Sequence, residues 1–313
     1  MKLSIVTTLY RSAADIDSFH RRAMAVAATR FSKVEMVLVN DGSPDDSLAV
    51  ALALQAHDPR VVVLDLARNF GHHRAMMTGL AEATGDLVFL IDSDLEEPPE
   101  LLLEFLDKLT AEDLDVVYGV QRVRRGHWLR RLPGEAFFWL TDFLSDHPIP
   151  RNVVTARLMR YDYVRALVSH EDRAFLIAHL WAITGYRQAA IEIDKLSLSP
   201  TTYTAGARIR MAVQHLTTSS TRLLYLILYL GMALSGLATL VILIFLGRYA
   251  TNGTGVSGWT SVFLTLWFFG GLIVMILGIL GIYIGNILAE VKRRPYTHLR
   301  RAYRAGKQET TAP

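Results

Sequence analysis

Cysteine is absent from the 313 residues. Disulfide stapling and thiolate metal centres are thereby excluded, and the composition agrees with a reducing compartment. No G-x-G-x-x-G follows the first apolar run, Leu3 to Tyr10, which argues against a dinucleotide fold. The scarcity with the largest consequence is that of charge. Although 20% of residues are charged, Leu223 to Gly247 and Val262 to Ala289 carry no charged side chain. Each stretch exceeds the roughly 20 residues needed to cross a bilayer core of about 30 Å, and core helices seldom run so long without a charged face. Two transmembrane helices are expected, with a pair of buried core helices as the alternative.

The flanks orient them. Lys292, Arg293, Arg294, Arg300, Arg301, Arg304 and Lys307 come after the second stretch with no further acid until Glu309, and Arg222 and Arg248 bracket the first. Positive charge stays inside, so the C-terminus is expected in the cytoplasm, and two spans return the chain to the side where it began. LSIVTTLY is too short, and too soon interrupted by Arg11, Asp15 and Asp17, to be the apolar core of a signal peptide. The sequence thus predicts an integral inner or plasma membrane protein in four parts. Residues 1–204 form a cytoplasmic domain, 205–222 an interfacial amphipathic helix, 223–289 a two-helix anchor and 290–313 a basic cytoplasmic tail. Ile209, Val213 and Leu216 share one side of the interfacial segment, although a soluble helix packed on the domain would look similar.

Apolar, β-branched runs recur at Leu3 to Tyr10, Val34 to Asn40, Val61 to Leu66, Asp86 to Ile91 and Asp115 to Val120. Helical spacing of Ala, Leu and Met fills Ala13 to Arg30, Asp45 to His57, His72 to Ala83 and Pro99 to Thr110. This is the β-α alternation of an α/β fold: a Rossmann-like, mostly parallel sheet with helices on both faces. Ligands of such sheets sit at the carboxyl ends of the strands. The polar signals fall there: Tyr10, Asn40-Asp41-Gly42-Ser43, Arg68-Asn69 and Asp92-Ser93-Asp94. Beyond Val120 the pattern is irregular.

The stretch FLIDSDLEEPPELL delivers Asp92, Asp94, Glu96, Glu97 and Glu100 just after a buried-looking strand. Crowded carboxylates repel one another, and a divalent cation relieves them. Mg²⁺ or Mn²⁺ fits, and either would in turn bind phosphate oxygens, which suits a nucleotide site. The same acids also suit a helix N-terminus after Pro98-Pro99.

These residues resemble the GT-A-fold glycosyltransferases of family 2, in particular the polyprenyl-phosphate branch of dolichyl-phosphate mannose synthase and undecaprenyl-phosphate sugar transferases. The resemblance runs through the first strand with Tyr10, VLVNDGSPDDS, LARNFGHHRAMMTGLAEATGD, LIDSDLEEPPE, the membrane-proximal helix and GIYIGNILAEVKRRPY. It implies a nucleotide-diphosphate sugar held by Leu9, Tyr10, Asp41, Asn69 and Asp92. It also implies a metal ion on Asp92, Asp94 and Glu96, and catalytic roles for Asp94, Arg122 and Arg157. Arg122, Arg157, Ser199, Tyr203 and Arg208 would meet a lipid phosphate. The implied reaction is inverting transfer of a sugar to polyprenyl phosphate, with no nucleic acid involved and self-association left open. UDP and GDP carriers both remain open, as does the sugar.

The sequence departs from that pattern twice. Relatives often carry G-D-F-R-L-M with a catalytic Asp, where NVVTARLM places Thr155, Ala156 and Arg157. A side-chain base is then in doubt, but a lipid monophosphate, with its second pKa near ~6, is ionised at neutral pH without one. His72-His73 stands where relatives often have Lys then Glu, and is read as a loop pair, with a metal role as the lesser alternative. Two rival classes stay in view: a non-catalytic membrane scaffold, suggested by Thr155, and a processive polysaccharide synthase, disfavoured because Q-x-x-R-W is lacking.

Overall fold

The computed structural model describes residues 1–122, 152–173, 175–194, scattered positions between 224 and 244, 259–305 and 307–309. They fall in two compact units: 1–122, 152–194 and 294–309 in the first, 224–293 in the second.

The first unit contains strands β1 (Lys2–Leu9), β2 (Lys33–Asn40), β3 (Val61–Leu66), β4 (Leu87–Leu90), β5 (Val116–Gln121), β6 (Val153–Arg160), β7 (Gln188–Ile193), β8 (Leu299–Arg304) and β9 (Lys307–Glu309). Its helices are α1 (Ile16–Ala28), α2 (Ser47–His57), α3 (His72–Glu82), α4 (Leu101–Ala111), α5 (Tyr161–Val168) and α6 (Ile177–Ile183). The strands form one sheet in the order β7-β5-β6-β4-β1-β2-β3-β8-β9. Its centre, β4-β1-β2-β3, is parallel, and β6 enters antiparallel between β4 and β5. β7 runs parallel to β5, while β8 closes the opposite edge antiparallel to β3.

Alternate residues of β1 feed opposite faces. Leu3, Ile5 and Leu9 pack with Phe19, Phe89 and Phe105, whereas Val6 joins Met76, Leu80 and Tyr163. Burial on both faces is why the central strands read as continuous apolar runs. α3 lies close on the sheet because Gly79 has no side chain: a Cβ there would come within 2.6 Å of Val6 and 2.8 Å of Val39. The alternation expected from the sequence is therefore present through β5. Because β4, β1, β2 and β3 run the same way, their carboxyl ends bring Leu90, Leu9, Asn40 and Leu66 to one edge of the sheet.

The second unit holds α7 (Trp259–Val291), whose stretch Phe268–Val291 is long and apolar enough to cross a membrane. Leu266, Phe268, Val274 and Ile284 are exposed on it, so α7 is not a helix buried in a protein core. Among the described residues it is the one such helix, where the sequence predicts two. The described positions between Leu224 and Ile244 are all helical, with Tyr225, Leu228 and Leu240 exposed. The interfacial segment 205–222 lies outside the described residues.

Candidate active site

The acidic stretch after β4 is sorted residue by residue. Glu100 receives two hydrogen bonds from Arg22 of α1, at 3.1 and 2.7 Å, and serves the packing of α4 on α1. Glu97 is fully buried, and its Oε2 accepts the Ala156 N–H of β6 at 2.7 Å. Asp94 accepts the Glu96 N–H at 3.0 Å around Leu95, which holds a left-handed φ of 59°. A non-glycine residue pays for that conformation on the order of 1 kcal/mol, and Leu95 recovers it by packing against the core. Between the aspartates, the buried Ser93 hydroxyl donates to the Thr8 carbonyl at 3.3 Å, which ties the acidic turn to the end of β1.

Asp92 and Asp94 thus stand together at the carboxyl edge. The three-carboxylate set expected from the sequence is not assembled: among the described residues no three His, Asp or Glu side chains converge as metal ligands. The donor chemistry fits a smaller demand. One or two carboxylates, completed by substrate phosphate and water, is how proteins commonly hold Mg²⁺ and similar hard ions. Asp92 and Asp94 meet it, and Glu96 adds its backbone N–H to the turn.

Asp41 at the end of β2 is 2% exposed. Its two carboxylate oxygens accept the N–H groups of Phe70 at 2.7 Å and Gly71 at 3.0 Å. Burial raises its pKa, and these bonds oppose that shift. Asp41 therefore pins the loop that leads into α3. Gly42, at φ 58°, packs beneath the same loop, where a Cβ would lie 2.4 Å from the Asn69 nitrogen. Leu9 is buried and its carbonyl accepts the Asp41 N–H at 3.1 Å, while Tyr10 is exposed beside them. Leu9, Tyr10, Asp41, Asn69 and Asp92, expected at the nucleotide, are thus all on this edge, and both oxygens of Asp41 are engaged by the loop.

The two arginines are placed differently from one another. Arg122, 63% exposed, pairs with Glu192 at 3.2 Å and Asp194 at 3.7 Å. Arg157 is 1% exposed, with its guanidinium 2.9 Å from the Trp181 ring centroid and near Tyr118. Burial pulls its pKa down to about 9, against the pull of Tyr163, Tyr118 and Glu97, so it stays a cation at neutral pH. A phosphate-facing role for Arg157 is not what this geometry shows; it braces Trp181. A buried arginine is tolerated here because aromatic faces replace part of its hydration. Ser199, Tyr203 and Arg208 lie outside the described residues.

Trp181 lines a cavity of about 300 Å³ together with His73, Glu97, Gln121, Asn152 and Thr155. His72, which also borders it, reaches Asp92. The cavity is therefore lined both by His72, the neighbour of Asp92, and by Thr155, where the resemblance leads one to expect a carboxylate. His73 is kept neutral: burial and then the neighbouring His72 lower its pKa to about 4. Glu97, Trp181, Gln121 and Asn152 have no role legible in the sequence. Glu97 sits in a run of acids that reads as a cation site or a helix N-terminus, and the other three carry no local pattern.

A mostly parallel sheet with paired aspartates and an adjoining cavity at its carboxyl edge suits an enzyme that handles a nucleotide-linked sugar. Residues 4–168 match the Glycosyl transferase family 2 model, and the chain belongs to that family. A relative from Mycobacterium tuberculosis bearing a glycosyltransferase name is 44% identical over 307 residues, 97% of this chain and 89% of that one. The prophage bactoprenol glucosyl transferase homolog of Escherichia coli is 29% identical over 298 residues, 94% of this chain and 97% of that one. Among solved structures, the mannosyltransferase PcManGT of Pyrobaculum calidifontis, in complex with GDP-Man and Mn²⁺, aligns with a TM-score of 0.47. It shares 17% identity, over 93% of this chain and 86% of that one.

Proposed function

We propose that the chain transfers a sugar from a nucleotide-diphosphate sugar to a polyprenyl phosphate, such as undecaprenyl phosphate, with inversion at C1. The observation that carries this reading is the cavity running from His72, next to Asp92, to Thr155. It has room for one sugar ring, polar groups to orient it, and no aspartate at 155. The names of relatives matched over nearly their whole length, bactoprenol glucosyl transferases of Escherichia coli and Shigella phage SfII, support the acceptor class.

Asp92 and Asp94 would hold Mg²⁺ or Mn²⁺, which when bound supplies neutralisation of the leaving diphosphate. The loop pinned by Asp41 would carry the nucleotide, and Glu97, Gln121 and Asn152 would orient sugar hydroxyls. An acceptor phosphate oxygen, already ionised, forms the bond to C1 as the bond from C1 to the diphosphate oxygen breaks on the opposite face. No proton has to be removed, so Thr155 need only position the acceptor. Arg122 is exposed, and its surface ion pairs are weak enough for a phosphate to displace.

Membrane attachment has a parity argument behind it. β8 comes directly after α7 and belongs to the same sheet as β1. A chain whose α7 crosses the membrane must therefore cross an even number of times between β7 and β8. The charge-free stretch Leu223 to Gly247 supplies the second crossing, and nucleotide sugars place the sheet in the cytoplasm.

Incubating the full chain in detergent with a panel of UDP- and GDP-sugars and undecaprenyl phosphate should yield a lipid-linked sugar of inverted anomeric configuration, lost on chelation. Nucleotide binding without any such product across the panel would favour the scaffold reading instead.

A further inference from the structure

Thr8, His72 and Asp92 make a line across the strand ends. His72 Nδ1 lies 2.9 Å from the Thr8 hydroxyl, and its Nε2 lies 3.4 Å from Asp92 Oδ1. The second separation exceeds the usual N–H···O length of about 2.7–3.2 Å. Two neighbouring ligands of one octahedral ion, with bonds of roughly 2.1 Å at a right angle, lie about 3 Å apart, so a closing movement of about 0.4 Å would seat both groups on one ion. The Thr8 hydroxyl can accept as well as donate. When it accepts from Nδ1–H, the Nε2 lone pair faces a carboxylate oxygen, a pairing that only a cation makes favourable. This is also how metal-bound histidines are oriented: one ring nitrogen is hydrogen-bonded and the other binds. The His72 side chain is 47% exposed and that of Asp92 19%, so an ion can reach both. Among the described residues, no lysine or arginine forms an ion pair with Asp92, and His72 is its neighbour.

We propose that His72 Nε2 is a ligand, beside Asp92, of the divalent ion at the strand ends, and that the ion is Mn²⁺ rather than Mg²⁺. The proposal rests on the transferase reading above and narrows it. Mg²⁺ keeps to oxygen donors, whereas an imidazole ligand favours the transition metal. Because no three His, Asp or Glu side chains converge among the described residues, His72 and Asp92 bind the ion directly, Asp94 acts on it through a bound water, and the remaining positions fall to diphosphate oxygens and water. His73 is not part of this set: it lines the cavity and is only partly exposed.

The test is pulsed EPR of Mn²⁺ bound to the full chain in detergent with UDP or GDP, read for ¹⁴N coupling. One imidazole coupling is expected in the parent protein, lost in His72→Ala and His72→Gln and kept in His73→Ala. Mn²⁺ affinity should fall at least about tenfold in the His72 variants, and Mg²⁺ affinity much less. The parent spectrum decides the matter even where a variant folds poorly. Nucleotide-dependent Mn²⁺ binding without ¹⁴N coupling overturns the His72 assignment and leaves the transferase reading intact, as does a coupling that survives His72→Ala. Absence of bound Mn²⁺ with either nucleotide overturns this proposal and the metal site together, and the sugar-transfer assay then judges the transferase reading separately.

Discussion

The Thr78 hydroxyl of α3 lies 2.8 Å from that of Thr297, 219 residues further along the chain. The same returning segment accepts the Ala67 N–H at the His298 carbonyl, 2.9 Å away, and brings Arg300 to 3.5 Å from the buried Asp65. Arg304 pairs with Glu82 of α3. The chain beyond the long helix therefore forms the edge of the catalytic sheet, placed against the loop that Asp41 organises.

Ending the chain at Arg293 should uncover the β3 edge and leave Asp65 without its cation. We expect a protein that aggregates and no longer binds nucleotide, because an open edge strand invites pairing. The milder Arg300→Ala should cost about 1–2 kcal/mol by urea denaturation. Full stability and nucleotide affinity in the truncated chain would show that the segment is dispensable.

Asp41→Ala leaves the Phe70 and Gly71 N–H groups without their acceptor. A loss of roughly 2–3 kcal/mol in stability is expected, with a raised KM for the nucleotide sugar as the loop loosens. A normal KM beside reduced stability would confine Asp41 to folding.

Those two contacts also mark the limit of what the sequence discloses. The first five strands and four helices are legible because each buried strand is a continuous apolar run and each helix repeats at helical spacing. β6 is not, since NVVTARLM mixes a buried arginine into a strand, and the sequence offers no sign that Trp181 will cover it. β8 reads LRRAYR, a basic tail by composition, and only pairing with β3 makes it a strand. At the site, the strand-end positions come from topology, so Asp41, Asp92 and Asp94 are legible. Their partners come from elements far apart in the chain, which is why His72 reads as a loop residue and Arg157 as a phosphate ligand.

Asp94→Asn should reduce sugar transfer about 100-fold or more while circular dichroism stays unchanged, because it removes a charge directed at the ion and keeps the acceptor for the Glu96 N–H. Thr155→Ala should cost only a few-fold if the acceptor phosphate needs no base. A Thr155→Ala loss as large as that of Asp94→Asn would mean that the hydroxyl takes part directly.

Asp58 supplies a pH dependence remote from the site. Hydrogen bonds from the Arg60 side chain, at 2.8 Å each, hold its carboxyl well below the ordinary range, with burial opposing and the Arg60 N–H and His20 assisting. A depressed folded-state pKa contributes stability above the unfolded value, near ~4, that is lost as pH falls below it. Asp58→Asn should therefore cost about 1 kcal/mol at neutral pH, Arg60 being half exposed. The gap between the two proteins should be smaller at about pH 3 than at neutral pH, because the unfolded chain's carboxyl protonates first, and it closes fully only at still lower pH, where the parent's folded carboxyl protonates. Urea midpoints at both pH values give the comparison, and a constant gap would assign the effect to packing.

The membrane arrangement can be read with single cysteines, since the chain has none of its own. Ala305 is exposed in the turn between β8 and β9, within the sheet that carries Asp92. Thr254 lies in the connector between the two charge-free stretches. If both stretches span, Thr254→Cys should react with an impermeant thiol reagent in intact cells, and Ala305→Cys only after permeabilisation. Because β8 and β1 share one sheet, the Ala305 result locates the whole catalytic unit and not just the tail. Labelling at Ala305 in intact cells would put that unit outside, away from the cytoplasmic supply of nucleotide sugars, and the proposed reaction would lose its donor.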